Sequence, residues 1–278
     1  MLNSEIVKKI EDFVYLKPRS VQEVASHINK NWRTADRYIE EIEKEFGTIS
    51  TRVFRGGTRG ALKIVFWSSV EKVSNNVFQQ DLERQIFQGR KKEDFSAFDI
   101  FQFVSDKNKK AKIEYKKSED ETDIIDLIEF LSQAKKQILI FSGNLSFINL
   151  RLKDKDILNV LENLIKNGVN INIICRGDIT GKENTEKMLS LNFNHGKENI
   201  EIRCREQPLR AIVIDNKLFR MKEISEPTGK TNELNKKTFV FYTIKEKEWA
   251  EWLSRIFWKM FSSSINVNRR LEEMKKLS

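Results

Sequence analysis

The chain has 278 residues, 33% of them charged and 39% apolar, which is the composition of a globular protein long enough for about two domains. With 11 glycines and 3 prolines it has neither a collagenous nor a long low-complexity character, and its formal net charge of +9 favours a polyanionic partner, most simply nucleic acid. The most apolar runs, Ile138–Phe141 and Ala211–Ile214, fall far short of the about 18 residues a membrane helix needs, and Met1–Lys9 lacks the features of a signal peptide, so a cytoplasmic protein with no membrane partner is expected.

The first predicted helix spans about Ser4–Leu16, with Ile6, Ile10, Phe13 and Val14 on one stripe and Pro18 stopping it. The second starts at Ser20. Ser20 and Glu23 have the spacing of a capping box, and Val21, Val24, Ala25 and Ile28 mark one apolar face. Asn29–Asn31 turns the chain into a third helix, Trp32–Phe46, with Asn31 as N-cap and Ala35, Tyr38, Ile39, Ile42 and Phe46 facing inward; Gly47 ends it. Alternation then resumes at Ile49, Thr51 and Val53, and again at Leu62, Ile64 and Phe66. Between them lies Gly56-Gly57-Thr58-Arg59-Gly60, which reads as the turn of a hairpin.

Three short helices followed by a hairpin make a winged helix-turn-helix over residues 1–67. The third helix carries Arg33, Thr34 and Arg37 outward near its start and crowds Glu40, Glu41, Glu43 and Glu45 into its second half. Its basic end is therefore suited to the major groove of double-stranded DNA. Arg52, Arg55 and Arg59 surround the turn, where glycine permits close backbone approach and arginine suits a minor groove or phosphates. The expected DNA-binding set is Ser20 (a helix N-terminus able to hold a phosphate), Asn31, Trp32, Arg33, Thr34, Arg37, Arg52, Arg55, Thr58 and Arg59. For each the plainer reading is structural: a cap, a packed tryptophan, a solvated hairpin face.

Residues 68–120 read as a charged, partly helical linker. Leu82, Ile86 and Phe87, then Phe98, Phe101, Phe103 and Val104, suit either a dimer surface or packing on the next domain. The lysine-rich run Lys107–Lys117 is a solvated face or a contact to the DNA backbone.

Residues 121–278 alternate helix and strand: a helix over Ile124–Ala134, a strand over Gln137–Ser142 ending in Gly143-Asn144, a helix over Ile157–Lys166, and strands at Val169–Cys175, Ile200–Cys204, Leu209–Asp215 and Phe239–Thr243. A last helix carries Trp249, Trp252, Ile256, Phe257 and Met260 towards the sheet. The fold class is mixed α/β, a winged helix followed by a layered α/β domain. Cys175 and Cys204 sit in strands and read as reduced structural cysteines; with two distant histidines they do not make a zinc site, and no metal or cofactor is expected.

The run ILNVLENLIKNGVNINIICR resembles the helix–Asn-Gly–strand unit of phospholipase-D-like domains, and PLRAIVIDNKLF resembles the strand bearing that family's His-x-Lys-x4-Asp motif. The resemblance implies a phosphoryl-accepting histidine and a phosphate-steadying lysine. Pro208 stands at the histidine position, Arg210 at the lysine position, and Asp215 at the aspartate position. The polar segment that usually follows is replaced by FRMKEISEP, and His195 lies outside the motif. A proline cannot form the covalent intermediate, so no catalytic residue is expected. A leftover anion pocket lined by Arg210 and Asp215 is one reading, an Arg–Asp pair the other.

A winged helix joined to a decayed phospholipase-D-like domain resembles archaeal TrmB-type transcriptional regulators, and RKKEDFSAFDIFQFV is similar to their linker. The resemblance implies a homodimer that reads DNA with its first domain and uses the second for assembly or for sensing a small-molecule effector. Two alternatives stand beside it. One is a phospholipase-D-type nuclease or phosphodiesterase targeted by the winged helix, against which Pro208 counts. The other is a non-enzymatic assembly or defence component whose winged helix contacts protein.

Overall fold

The computed structural model describes residues 4–45, 48–55, 61–67, 75–115, 124–152, 155–196, 198–227 and 237–276. The N-terminal head runs α1 (Ser4–Leu16), β1 (Arg19–Ser20), α2 (Val21–His27), α3 (Trp32–Glu45), β2 (Ile49–Arg55) and β3 (Ala61–Trp67). β1 and β2 both pair antiparallel with β3, completing a winged helix with a three-stranded sheet. The capping box of α2 is formed in full: Ser20 Oγ accepts from the Glu23 N–H, and Glu23 accepts from the Ser20 N–H at 2.7 Å. Asn29 takes a left-handed conformation (φ 54°), which lets the chain reverse between α2 and α3. Ile10, Val24, Ile39, Ile42, Ile49 and Val65 form the head's core.

The register of β2 and β3 has a consequence for the whole molecule. Ile49 faces Trp67 and Thr51 faces Val65, so these residues share the side that meets the helices. Phe54 faces Leu62, Arg52 faces Ile64 and Ser50 faces Phe66, which places the second apolar set on the opposite side. That side is not solvated. Phe54 and Leu62 are buried in the core of the C-terminal domain, with Ile64 and Phe66 packed against it. The hairpin is covered on both faces, and the head is docked rather than tethered.

The remaining elements are α4 (Asn75–Gln88), α5 (Ala97–Phe101), β4 (Lys109–Tyr115), α6 (Ile124–Leu131), β5 (Gln137–Phe141), the short ribbon β6 (Arg151–Leu152) and β7 (Lys155–Asp156), α7 (Ile157–Lys166), β8 (Asn170–Cys175), α8 (Lys182–His195), β9 (Ile200–Cys204), β10 (Ala211–Ile214), β11 (Leu218–Ser225), β12 (Thr238–Ile244), α9 (Lys247–Ser262), β13 (Ile265–Asn266) and α10 (Val267–Lys275). Eight strands form one mixed sheet in the order β13-β9-β8-β5-β10-β11-β12-β4. β5, β8 and β9 are parallel, and the strands from β10 to β4 are antiparallel.

One face of this sheet packs on α4, α5, α9 and the head's hairpin, around Phe98, Phe101, Tyr242, Trp249 and Phe257. The other packs on α6, α7 and α8, around Leu127, Leu161, Ile171 and Met188. The phenylalanines of the middle zone are thus core, not an open surface: Phe98 and Phe101 are buried, and Phe103 stacks on Phe78 with centroids 3.8 Å apart. Lys109–Tyr115, read from sequence as part of a charged linker, is instead the edge strand β4. Ile113 and Ala111 are turned to the core, while charged residues alternate with them on the other face. Cys175 and Cys204 are buried, unbridged register neighbours on β8 and β9.

Candidate nucleic-acid interface

Asn31 Oδ1 accepts from the Thr34 N–H at 2.9 Å, which caps α3 and fixes where its first turn begins. Arg33 and Arg37 follow, one turn apart and both exposed. Each guanidinium lies near the neighbouring ring, Arg33 5.5 Å from the centre of Trp32 and Arg37 5.4 Å from that of Tyr38. Trp32 is partly buried against the head's core, so its ring acts as packing.

The acidic residues of α3 are tied to the hairpin. Lys63 of β3 bridges Asp36 at 2.7 Å and Glu40 at 2.9 Å. Burial works against the charge on Lys63, but these two partners outweigh it and raise its pKa. Glu43 accepts from the Thr51 N–H and hydroxyl, each at 3.0 Å. The charge sorting of α3 thus has a structural basis: its carboxylates bind the wing and its arginines face outward.

Other residues of the expected set lie elsewhere. Ser20 is only 8% exposed, and its N–H is held by the Glu23 carboxylate, which occupies the place a phosphate would need. Arg52 bridges Asp106 at 3.3 Å and lies over Phe101 at 5.2 Å, on the face of the hairpin that meets the C-terminal domain. The side chain of Arg55, together with Thr58 and Arg59, falls outside the described residues.

The three positions of the decayed motif are separated by β10. Pro208 is buried before the strand and covered by the end of α4: a Cβ added to Gly89 would meet Pro208 Cγ at 2.8 Å. Gln207, 1% exposed, donates to the Ser142 carbonyl at 3.0 Å and accepts from the Leu209 N–H, holding this approach to β10 against the end of β5. Asp215 sits at the far end of the strand with φ 51°, and its carboxylate accepts the N–H groups of Lys135, Lys136 and Gln137, each at 2.9 Å. Burial raises its pKa, but the three backbone donors prevail and hold it low. Asp215 therefore pins the start of β5 and is not brought together with Arg210.

Arg210 opens instead into a cleft of about 450 Å3 at the carboxyl ends of β5 and β8. Arg176, which follows β8 and had no motif to mark it, reaches the same place. Both guanidinium groups lie over Gly143, whose added Cβ would sit 2.9 Å from Nη2 of Arg176 and 3.1 Å from Nη2 of Arg210. His195, the last residue of α8, does not line this cleft.

No protein-family model matches the sequence, and neither does any curated protein. Among solved structures, the chain is similar to TrmBL2, described as an archaeal chromatin protein with a novel mode of DNA binding, at 16% identity and a TM-score of 0.39, over 96% of this chain and 95% of that one. It is also similar to Nuc of Salmonella typhimurium, a phospholipase D family member, at 17% identity and a TM-score of 0.38, over 57% of this chain and 97% of that one. NucT from Helicobacter pylori matches at 15% identity and a TM-score of 0.40, over 57% and 99% of the two chains. Among the described residues, no helix is long and apolar enough to cross a membrane.

Proposed function

We propose that this chain is a sequence-specific DNA-binding transcriptional regulator, acting in the cytoplasm as a homodimer, with α3 as the helix that reads double-stranded DNA. The observation that carries this reading is the charge sorting of α3. Arg33 and Arg37 are exposed on its first turns, while Asp36, Glu40 and Glu43 are held by Lys63 and Thr51. A duplex meeting this end of the helix finds cations and few free anions. Two heads on one dimer multiply the specificity that one short helix supplies.

The C-terminal domain serves assembly and the sensing of a small-molecule effector, without catalysis. Support comes from Pro208, which has no nucleophile and is sealed by Gly89. The reading is tested by selecting binders from random duplex DNA at two salt concentrations. Enrichment of paired, inverted half-sites is the expected result. Salt-sensitive binding with no enrichment would leave a non-specific DNA binder, and no binding at all would sink the regulator reading.

A further inference from the structure

The cleft beside Pro208 is built more deliberately than a leftover groove. Its two arginines are fixed by backbone bonds to one strand end: the Arg176 N–H donates to the Gly143 carbonyl and the Ser142 N–H to the Ile174 carbonyl, both at 2.9 Å. Across β10, the Lys222 N–H donates to the Arg210 carbonyl at 2.9 Å. The guanidinium groups so placed converge on the only kind of residue that leaves them room, since any side chain at position 143 would collide with their ends. Six lysines and arginines line the cleft against three carboxylates. Two like charges brought together over one glycine repel, and a dianion between them relieves that repulsion. A carboxylate is satisfied by one guanidinium fork, whereas the three terminal oxygens of a phosphoryl group suit two.

The rest of the cleft is apolar. Phe147, Leu150, Ile212 and Phe241 line it beyond the arginines. Its volume is that of a small-molecule site, and it lies at the carboxyl ends of parallel strands, where open α/β sheets bind ligands. We infer that this cleft binds a small organic phosphate, holding the phosphoryl group with Arg176 and Arg210 and an apolar body against Phe147, Ile212 and Phe241. The inference rests on the reading of the C-terminal domain as an effector sensor and names the chemistry of the effector.

The test is calorimetric titration of the full chain with phenyl phosphate and with inorganic phosphate, repeated in the presence of duplex DNA. Phenyl phosphate should saturate one site per chain and bind more tightly than inorganic phosphate. Arg176→Ala and Arg210→Ala should each weaken it by about tenfold or more, the loss of a charge-assisted bond. Gly143→Ala should do the same by displacing both guanidinium groups, and Arg210→Lys serves where the alanine variant does not fold. Arg151→Ala, an exposed arginine outside the cleft, should bind as the parent does. Absence of saturable binding, unchanged affinity in the variants, or displacement of phenyl phosphate by DNA would each overturn the inference. A chain that binds duplex DNA but not phenyl phosphate loses the pocket and keeps the regulator reading. One that binds phenyl phosphate but no DNA keeps the pocket and loses the regulator.

Discussion

Phe54 on the outer face of the wing hairpin meets Phe98 of α5 edge to face, with ring centroids 5.9 Å apart, and lies 6.1 Å from the ring of Tyr242. The contact joins the head to the sheet domain through aromatic packing. Phe54→Ala should destabilise the chain by about 3 kcal/mol, the usual cost of removing a buried ring. Urea unfolding followed separately in the two domains checks it: the parent should give one coincident transition and the variant should separate the head from the rest. Coincident transitions at unchanged midpoint would show that the packing does not couple them.

Arg33→Ala with Arg37→Ala should leave folding intact, because both side chains are exposed on α3. DNA affinity should fall by about tenfold or more, and if both arginines meet phosphates the slope of log affinity against log salt should drop by about 2. Arg52→Ala, by contrast, should alter stability more than DNA affinity, since its guanidinium is engaged by Asp106 and Phe101. Filter binding at several salt concentrations separates the two outcomes.

A buried carboxyl pair lies beneath the docked head. Glu223 accepts from the Ser96 hydroxyl at 2.7 Å, the Ala97 N–H at 2.5 Å and the Tyr242 hydroxyl at 3.1 Å. Burial raises its pKa despite these donors. Asp99, 8% exposed, is pushed well up by burial and then by the nearby Glu223, against the pull of Lys17 and Arg19 from the head. The folded chain therefore holds these protons more tightly than the unfolded chain. Their contribution to stability is fully present below about pH 4, the unfolded carboxyl range, and is lost as pH rises through the folded values. Asp99→Asn should flatten that decline and raise stability at neutral pH. Denaturation across the acid-to-neutral range checks the slope; an unaltered slope would dissociate Asp99 from it.

Asp215→Ala should cost about 2 kcal/mol by leaving the N–H groups of Lys135, Lys136 and Gln137 without their acceptor. Because the Asp215 pKa is lowered in the folded chain, its contribution is present at neutral pH and disappears as pH falls through the folded value. Pro208→His should not create a phosphodiesterase, for the position is buried against Gly89. Cleavage of a chromogenic phosphodiester by that variant would show that only the imidazole was missing.

Local signals in the sequence were enough for the head. The period of Ile6, Ile10, Phe13 and Val14, the Ser20–Glu23 box and the Asn31 cap each act within a few residues, and each is present in the structure. What alternation could not reveal is which side of a hairpin an apolar set faces. Ile49 and Leu62 both belong to alternating runs, yet register puts them on opposite faces, and a distant sheet is needed to bury the second. β4 escaped notice because its sequence, KKAKIEY, offers only Ala111 and Ile113 to the core, and an edge strand needs no more. The cleft was half legible. Arg210 was marked by its place in a decayed motif, while Arg176 and Gly143 come from other strand ends and meet it only through the topology of β5, β8 and β10.

The two-sided burial of the hairpin also sets an order of events at the ribosome. Residues of the head leave the exit tunnel first and can pair β2 with β3 at once, but Phe54 and Leu62 then face water until α5 and finally β12, with Tyr242, have been synthesised. The earliest unit to take shape thus waits longest for its cover. Through most of translation it displays an aromatic, strand-forming surface of the kind that holding chaperones bind and that nascent chains use to aggregate.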